Sequence, residues 1–325
     1  MLNRVQILFD PLVRLLLLAI LLASFLPVTG EGRAIAQGVS NTVIFLLFLL
    51  NGLRLPRAEV LRGLGNRRFL LPLVLWVFAV MGLAGWAMAD LAGRALPASI
   101  AVGFVFLGLL PSTVQSATAY TSLAGGNVAH SVVAAATLNI LGVFISAPLI
   151  IWLANSGVAD GNVGFDIGAL QRIGLILLLP FVIGQILQNW FGSYVAAKAH
   201  IISWMDRFAI AIAVYVAFSS AVEQGVWTLI ALSEWGILLG IVGVMLAIGF
   251  GGSWWLGGAL RLELADRKAF LFAGAQKSIV MGAPLATILF PPEMAGLALL
   301  PVLLYHLLQM VISAPLASRF RSSQS

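Results

Sequence analysis

Runs of almost uninterrupted apolar residues recur from one end of the chain to the other, each about 17 to 25 residues long, the length that spans a hydrocarbon core of about 30 Å as an α-helix. Inside lipid every backbone N–H and C=O has to be satisfied within the protein, which leaves helices or a closed barrel. The short alternating segments of a barrel are not in the pattern. With 61% hydrophobic and only 9% charged residues over 325 positions and a mean hydropathy of +1.05, a soluble domain is excluded. The expected fold class is therefore an all-α membrane protein. Cysteine is absent, so there is no disulfide and no thiolate metal site.

Ten transmembrane helices are predicted, at about residues 11–28, 35–53, 69–89, 98–123, 128–154, 167–191, 202–222, 235–256, 270–290 and 295–316. The first lacks a small-residue cleavage site and leads straight into the next, so it reads as helix one rather than a signal peptide. Arg54, Arg57, Arg62, Arg67 and Arg68 follow helix two and face the cytoplasm by the positive-inside rule. An even span count puts Arg4, Lys198, Arg261, Arg267, Lys268, Arg319 and Arg321 on that side, and Asp160, Asp166, Glu223, Glu234 and Glu293 on the other. Both termini are expected in the cytoplasm and the chain in the inner, or plasma, membrane. The net charge of +6 thus serves topology, with the lipid bilayer as partner and no role for nucleic acid. Arg14 and Arg207, near Asp10 and Asp206, are expected either to snorkel or to pair at helix ends rather than to serve as conduits.

Two spans are interrupted. Pro111 ends the first part of helix four, because proline has no N–H and disfavours helical geometry in the residue before it. In helix nine, Gly274, Gly282 and Pro284 weaken the helix around Lys277, a cation that costs about 2.5 to 3.5 kcal/mol at the centre of a membrane helix. Ile145-Ser146-Ala147-Pro148-Leu149 recurs as Ile312-Ser313-Ala314-Pro315-Leu316, late in helices five and ten, each preceded by a broken span. Five helices per half is an odd number, so two inverted five-helix repeats are expected, 1–154 and 167–325, joined by an external linker at 155–166. Broken helices at matching places in inverted repeats meet near the midplane at a substrate site.

The candidate binding residues follow from these breaks: Ser112, Thr113, Gln115, Ser116 and Thr118 in helix four, and Gln276, Lys277 and Ser278 in helix nine. Ser131, Thr137 and Asn139 of helix five, and His306 and Gln309 of helix ten, could face the same cavity. Oxygens and unwound carbonyls suit an alkali cation, whereas half-helix N-termini and Lys277 suit an anion; hydroxyls and amides also act as packing contacts between helices. No Ser/His/Asp set, His-x-x-x-His motif or paired carboxylates appear, so the chain reads as no enzyme, with no cofactor and no metal beyond a coupling ion.

Leu110-Pro111-Ser112-Thr113-Val114-Gln115-Ser116, Thr121-Ser122-Leu123-Ala124-Gly125-Gly126-Asn127-Val128-Ala129 and Gln276-Lys277-Ser278 together resemble the bile acid:sodium symporter family. The likeness is to its divergent branch, which includes bacterial transporters and the seventh member of the vertebrate bile-acid carriers. The resemblance implies a panel domain from helices 1, 2, 6 and 7 and a core domain from helices 3–5 and 8–10, with helices four and nine crossing. It also implies carriage of organic anions with sodium by alternating access. The family's sodium positions fall here on Ala117, Thr118, Ala135 and Phe272, with its helix-five serine kept as Ser131 and its helix-nine glutamine as Gln276, and its helix-nine asparagine on Lys277, so the carboxylate of those sites is missing. The expectation is a secondary active transporter of a small organic anion or solute in which Lys277 supplies the positive charge; sodium or a proton stays open as coupling ion. The competing readings are a non-transporting membrane regulator or partner-binding protein on the same fold, a sodium-coupled symporter with rebuilt sites, and a channel, against which the lack of a charged pore ring counts.

Overall fold

The computed structural model describes residues 10–54, 67–153, 171–172 and 174–322, apart from the side chains of residues 147, 151, 153 and 322. The linker expected at 155–166, with Asp160 and Asp166, and the basic residues Arg4, Arg57 and Arg62 lie outside them. Every regular element among the described residues is helical. In chain order these are α1 (Pro11–Phe25), α2 (Gly32–Arg54), α3 (Arg67–Gly93), α4 (Ala98–Leu109), α5 (Val114–Leu123) and α6 (Val128–Leu153). Then come α7 (Gly174–Ala197), α8 (Ala199–Glu223), a single helical turn (Val226–Leu229), α9 (Leu232–Ala259), α10 (Leu264–Ala275), α11 (Ile279–Leu289) and α12 (Pro292–Ser322). Helix four of the sequence is thus α4 with α5, and helix nine is α10 with α11.

Among the described residues eight segments, taking α10 and α11 together, are long and apolar enough to cross a membrane, and nine if α4 and α5, bent by 59°, form one span. At 15 residues α1 is shorter. It stops at Phe25 rather than near residue 28 because Pro27 bars Leu26 from helical geometry, and Leu26 has ψ 62°. α9 starts earlier than expected, where Glu234 accepts from the backbone N–H of Ala231 at 2.7 Å. α12 also starts early, with Pro292 at its first position, where a missing N–H costs nothing.

Both breaks form, for different reasons. At the first, Leu110 and Thr113 are extended, with ψ 141° and 131°, around Pro111. At the second, Gln276 is extended with ψ 138°, and Ser278 caps α11 by accepting from the N–H of Met281 at 3.2 Å. The second break follows Gly274 closely, whereas Gly282 and Pro284 sit inside a continuous α11. Gly282 serves packing instead: a Cβ there would lie 2.9 Å from Leu110 Cδ1.

The broken segments lie at the centre. Of the membrane-length window in α10–α11, 94% is buried inside the protein, against 22% for α2 and for α7. Small residues let the backbones approach: a Cβ on Gly85 would fall 3.0 Å from Gly108 Cα, joining α3 to α4, and one on Gly52 3.1 Å from Gly184 Cα, joining α2 to α7. α8 packs on α1, α2, α11 and α12, linking the outer helices to the broken pair.

Candidate functional site

The two breaks touch directly, with Ser278 N donating to Pro111 O at 2.9 Å. Lys277 sits at this crossing, 1% exposed, and its ammonium donates to Gly108 O at 2.6 Å, Leu110 O at 2.8 Å and Val77 O at 3.2 Å. Gly108 and Leu110 are at the C-terminal end of α4, where carbonyls lack helical partners and the helix dipole is negative. Val77 lies in a π-helical turn, Leu75–Val80, within α3; such turns disturb the regular hydrogen-bond ladder. Three N–H donors thus meet three carbonyl oxygens, in the oxygen-rich surroundings an alkali ion would seek.

The next layer holds the unwound backbone in place. Gln309 pairs with the peptide groups of Lys277, its Oε1 accepting from Lys277 N at 2.8 Å and its Nε2 donating to Lys277 O at 3.0 Å. That orientation directs the amide N–H₂ to His306 Nδ1 as well, at 2.8 Å, so Nδ1 accepts and the ring proton of the neutral imidazole is assigned to Nε2. Gln276 Nε2 donates to Ser313 Oγ at 2.8 Å, and its Oε1 accepts from Ser116 Oγ at 2.9 Å and Thr113 Oγ1 at 3.3 Å. The Thr113 and Ser116 hydroxyls bond each other. On the first break, Asn139 Nδ2 donates to Ser112 O at 2.7 Å and Ser146 Oγ to Leu109 O at 2.8 Å. α6 therefore holds one break as α12 holds the other.

Beside the crossing opens a cavity of about 590 Å³. Thr113, Gln115, Ser116, Asn139, Ser278 and His306 line one side of it; Asn51 and Arg54 of α2 and Ser203, Asp206 and Arg207 of α8 line the other. Phe48, Val132, Ile140, Phe181, Met281 and Met310 complete a largely apolar wall. Arg54 is ion-paired with the buried Asp206. His306 Nε2 is buried and has no partner among the described residues.

Of the residues expected at the site, Lys277, Gln276 and Gln309 gather at the crossing but behind the cavity wall, whereas Gln115, Ser116, Ser278 and His306 reach the cavity itself. Ser112 contributes its carbonyl, its hydroxyl being buried without a partner among the described residues, as are those of Thr118 and Thr137. Ser131 lies apart, accepting from Thr121 Oγ1 at 3.2 Å. Of the two alternatives expected for Arg14 and Arg207, pairing with Asp10 and Asp206 is not made: Asp10 accepts from Leu12 N at 2.8 Å, and Arg207 lies over the Trp204 ring at 5.1 Å. Adjacent residues on a helix diverge by about 100°, so Asp206 meets Arg54 of α2 rather than Arg207. Arg54 and Asp206 escaped the sequence reading as cavity residues, although an acid inside the apolar run 202–222 was a usable signal.

Ala117, Ala135 and Phe272 are fully buried and bring no side-chain oxygen to the positions the resemblance gives to sodium, and the Phe272 ring packs 5.9 Å from that of Tyr120. Thr118 and Ser131 offer hydroxyls there and Gln276 an amide oxygen, the last two already hydrogen-bonded within the protein. No cluster of three His, Asp or Glu residues suited to a metal occurs among the described residues.

A model of the SBF-like CPA transporter family matches residues 10–322. The chain belongs to that family. It is a multi-pass membrane protein of a transporter family, not of an enzyme family, and the lipid bilayer is its surroundings. Within the family's reach, it is 35% identical over 321 residues to an uncharacterized protein of Pseudomonas aeruginosa, covering 98% of this chain and 95% of that protein. It is 35% identical over 318 residues, covering 96% and 93%, to YfeH of Escherichia coli, which is provisionally named a symporter. Sodium/bile acid cotransporter 7 of Mus musculus is 24% identical over 299 residues, covering 87% of this chain and 83% of the mouse protein. These relatives agree with the divergent branch of the bile acid:sodium symporter family read from the motifs around Pro111 and Lys277.

Proposed function

We propose that this protein is a secondary transporter of an organic anion that works by alternating access without sodium, uncoupled or proton-linked, and carries its compensating cation as a side chain, the ammonium of Lys277. The observation that carries the reading is the seat of that ammonium: three backbone carbonyls at the crossing of the two breaks. A fixed charge there stabilises the negative end of α4 and adds positive potential beneath the cavity floor. The family relationship and the name of the mouse relative support an amphipathic anion such as a bile acid. So does the cavity, whose walls are largely apolar and which Arg207 lines beside Asp10 and the Arg54–Asp206 pair.

The reading takes α1 as a further span, giving ten, in two inverted five-helix repeats. The matched Ile-Ser-Ala-Pro-Leu segments and the parallel holding of each break by α6 and α12 support that symmetry. α1, α2, α7 and α8 form the panel and the other helices the core, with the cavity between them as the substrate path. Arg54, last residue of α2, marks the cavity mouth as cytoplasmic by the positive-inside rule, with both termini on that side of the inner membrane.

The test is the thermal stability of the protein in nanodiscs, in sodium or potassium chloride, with and without taurocholate, for wild type and Lys277→Ala. A ligand that binds only the folded state raises the unfolding temperature. The reading expects no difference between the two salts in the wild type and stabilisation by taurocholate in both. Stabilisation of the wild type by sodium alone would refute the built-in cation.

A further inference from the structure

A lysine five residues into α10 is expected to extend toward the membrane surface, keeping its charged head in water. Lys268 does the opposite. Its side chain is 1% exposed, and Nζ donates to Ala124 O at 2.7 Å and to Phe320 O at 3.5 Å, 5.8 Å from the centre of the Phe320 ring. No carboxylate lies within ion-pair distance of it among the described residues. Ala124 is the C-terminal cap of α5, so its carbonyl is of the kind that helix ends leave unpaired, and Phe320 lies in the last turn of α12. The fit is tight, since a Cβ on Gly126 would fall 2.9 Å from Lys268 Cβ and 2.8 Å from Thr121 Cγ2.

The α10–α11 segment therefore carries two buried ammonium groups, one at the carbonyl end of α4 and the other at the carbonyl end of α5. We infer that Lys268 is a second tethered cation, a positioning residue whose ammonium occupies a seat for a monovalent cation built from the ends of α5 and α12. With Lys277 it ties both halves of the bent α4–α5 segment to the α10–α11 segment, so that the core assembles without an inorganic ion. This rests on the reading of Lys277 given above. A lysine that only filled space would be replaceable by an uncharged chain of similar length in any salt. A lysine that fills a cation seat leaves, on removal, a seat that a free cation can enter.

The experiment uses Lys268→Met in nanodiscs, unfolded thermally in chlorides of sodium, potassium and N-methylglucamine, the last too bulky to enter, at equal ionic strength. The wild type and Lys268→Arg are expected to unfold at the same temperature in all three salts. Lys268→Met is expected to unfold at a lower temperature in N-methylglucamine and to regain roughly 3 °C or more in sodium or potassium. Equal unfolding temperatures for Lys268→Met in all three salts would overturn the inference. Should that protein be too unstable to purify, Lys268→Gln, whose amide can still meet one carbonyl, is read the same way. Lys277→Met run in parallel separates the two readings: a salt response there with none at position 268 overturns this inference alone, and the reverse overturns only the earlier one.

Discussion

Replacing Lys277 by methionine keeps most of the side-chain volume and removes the three donors. Gly108 O, Leu110 O and Val77 O then lose partners at 2.6 to 3.2 Å in a place closed to water. Hydrogen bonds to a charged group contribute about 1.5 to 3 kcal/mol each, so the gross loss is large. Against it stands relief of the ammonium's desolvation, an effect of several kcal/mol. The difference should be a destabilisation of about 2 to 4 kcal/mol, or roughly 5 to 15 °C in unfolding temperature at about 2 to 4 °C per kcal/mol. Differential scanning fluorimetry in nanodiscs reads this directly. Because the orphaned groups are carbonyls, sodium should restore part of the loss and N-methylglucamine none. A variant that unfolds with the wild type, or is destabilised equally in every salt, would show that the carbonyl cage is not a cation seat.

Three further outcomes follow from the geometry. Gln309→Leu leaves both backbone groups of Lys277 without partners and should destabilise the protein by about 2 to 4 kcal/mol in the same assay, more than His306→Leu, which removes only the outer member of that chain. Arg54→Met should lower the unfolding temperature more than Asp206→Asn, because the side chain left alone is 9% exposed in the first case and 27% in the second. Gly142→Ala would put a Cβ 2.7 Å from Pro111 Cγ, and overpacking of this kind costs about 1 to 3 kcal/mol, read as a lower unfolding temperature and a displaced first break.

The breaks were legible because their causes are local. Proline at 111 bars helical hydrogen bonding whatever surrounds it, and a lysine in an apolar run has to find oxygens somewhere. The pattern could not say which oxygens. Val77 offers its carbonyl through a π-helical turn that no residue motif announces, and Gly108 is brought to Lys277 by the close packing of α3 on α4. Lys268 was read as a cytoplasmic charge because position near a helix end is the usual sign of one; its burial depends on α12 reaching Ser322, past the predicted end near residue 316. Arg207 and Asp206, for which pairing was one of two alternatives, do not pair, since neighbours in sequence are not neighbours on a helix surface. Arg54, taken only as a topological signal, turned out to meet Asp206 across 152 positions of chain.

The central claim is that the positive charge at the crossing is supplied by the chain itself. Its most direct test is uptake of a radiolabelled organic anion, chosen as one that raises the unfolding temperature, into proteoliposomes energised only by the anion gradient, with sodium or N-methylglucamine as the sole external cation. The account predicts equal initial rates for the wild type in the two media, and for Lys277→Met a rate that falls in N-methylglucamine and recovers in part with sodium. Wild-type uptake that requires sodium would contradict it.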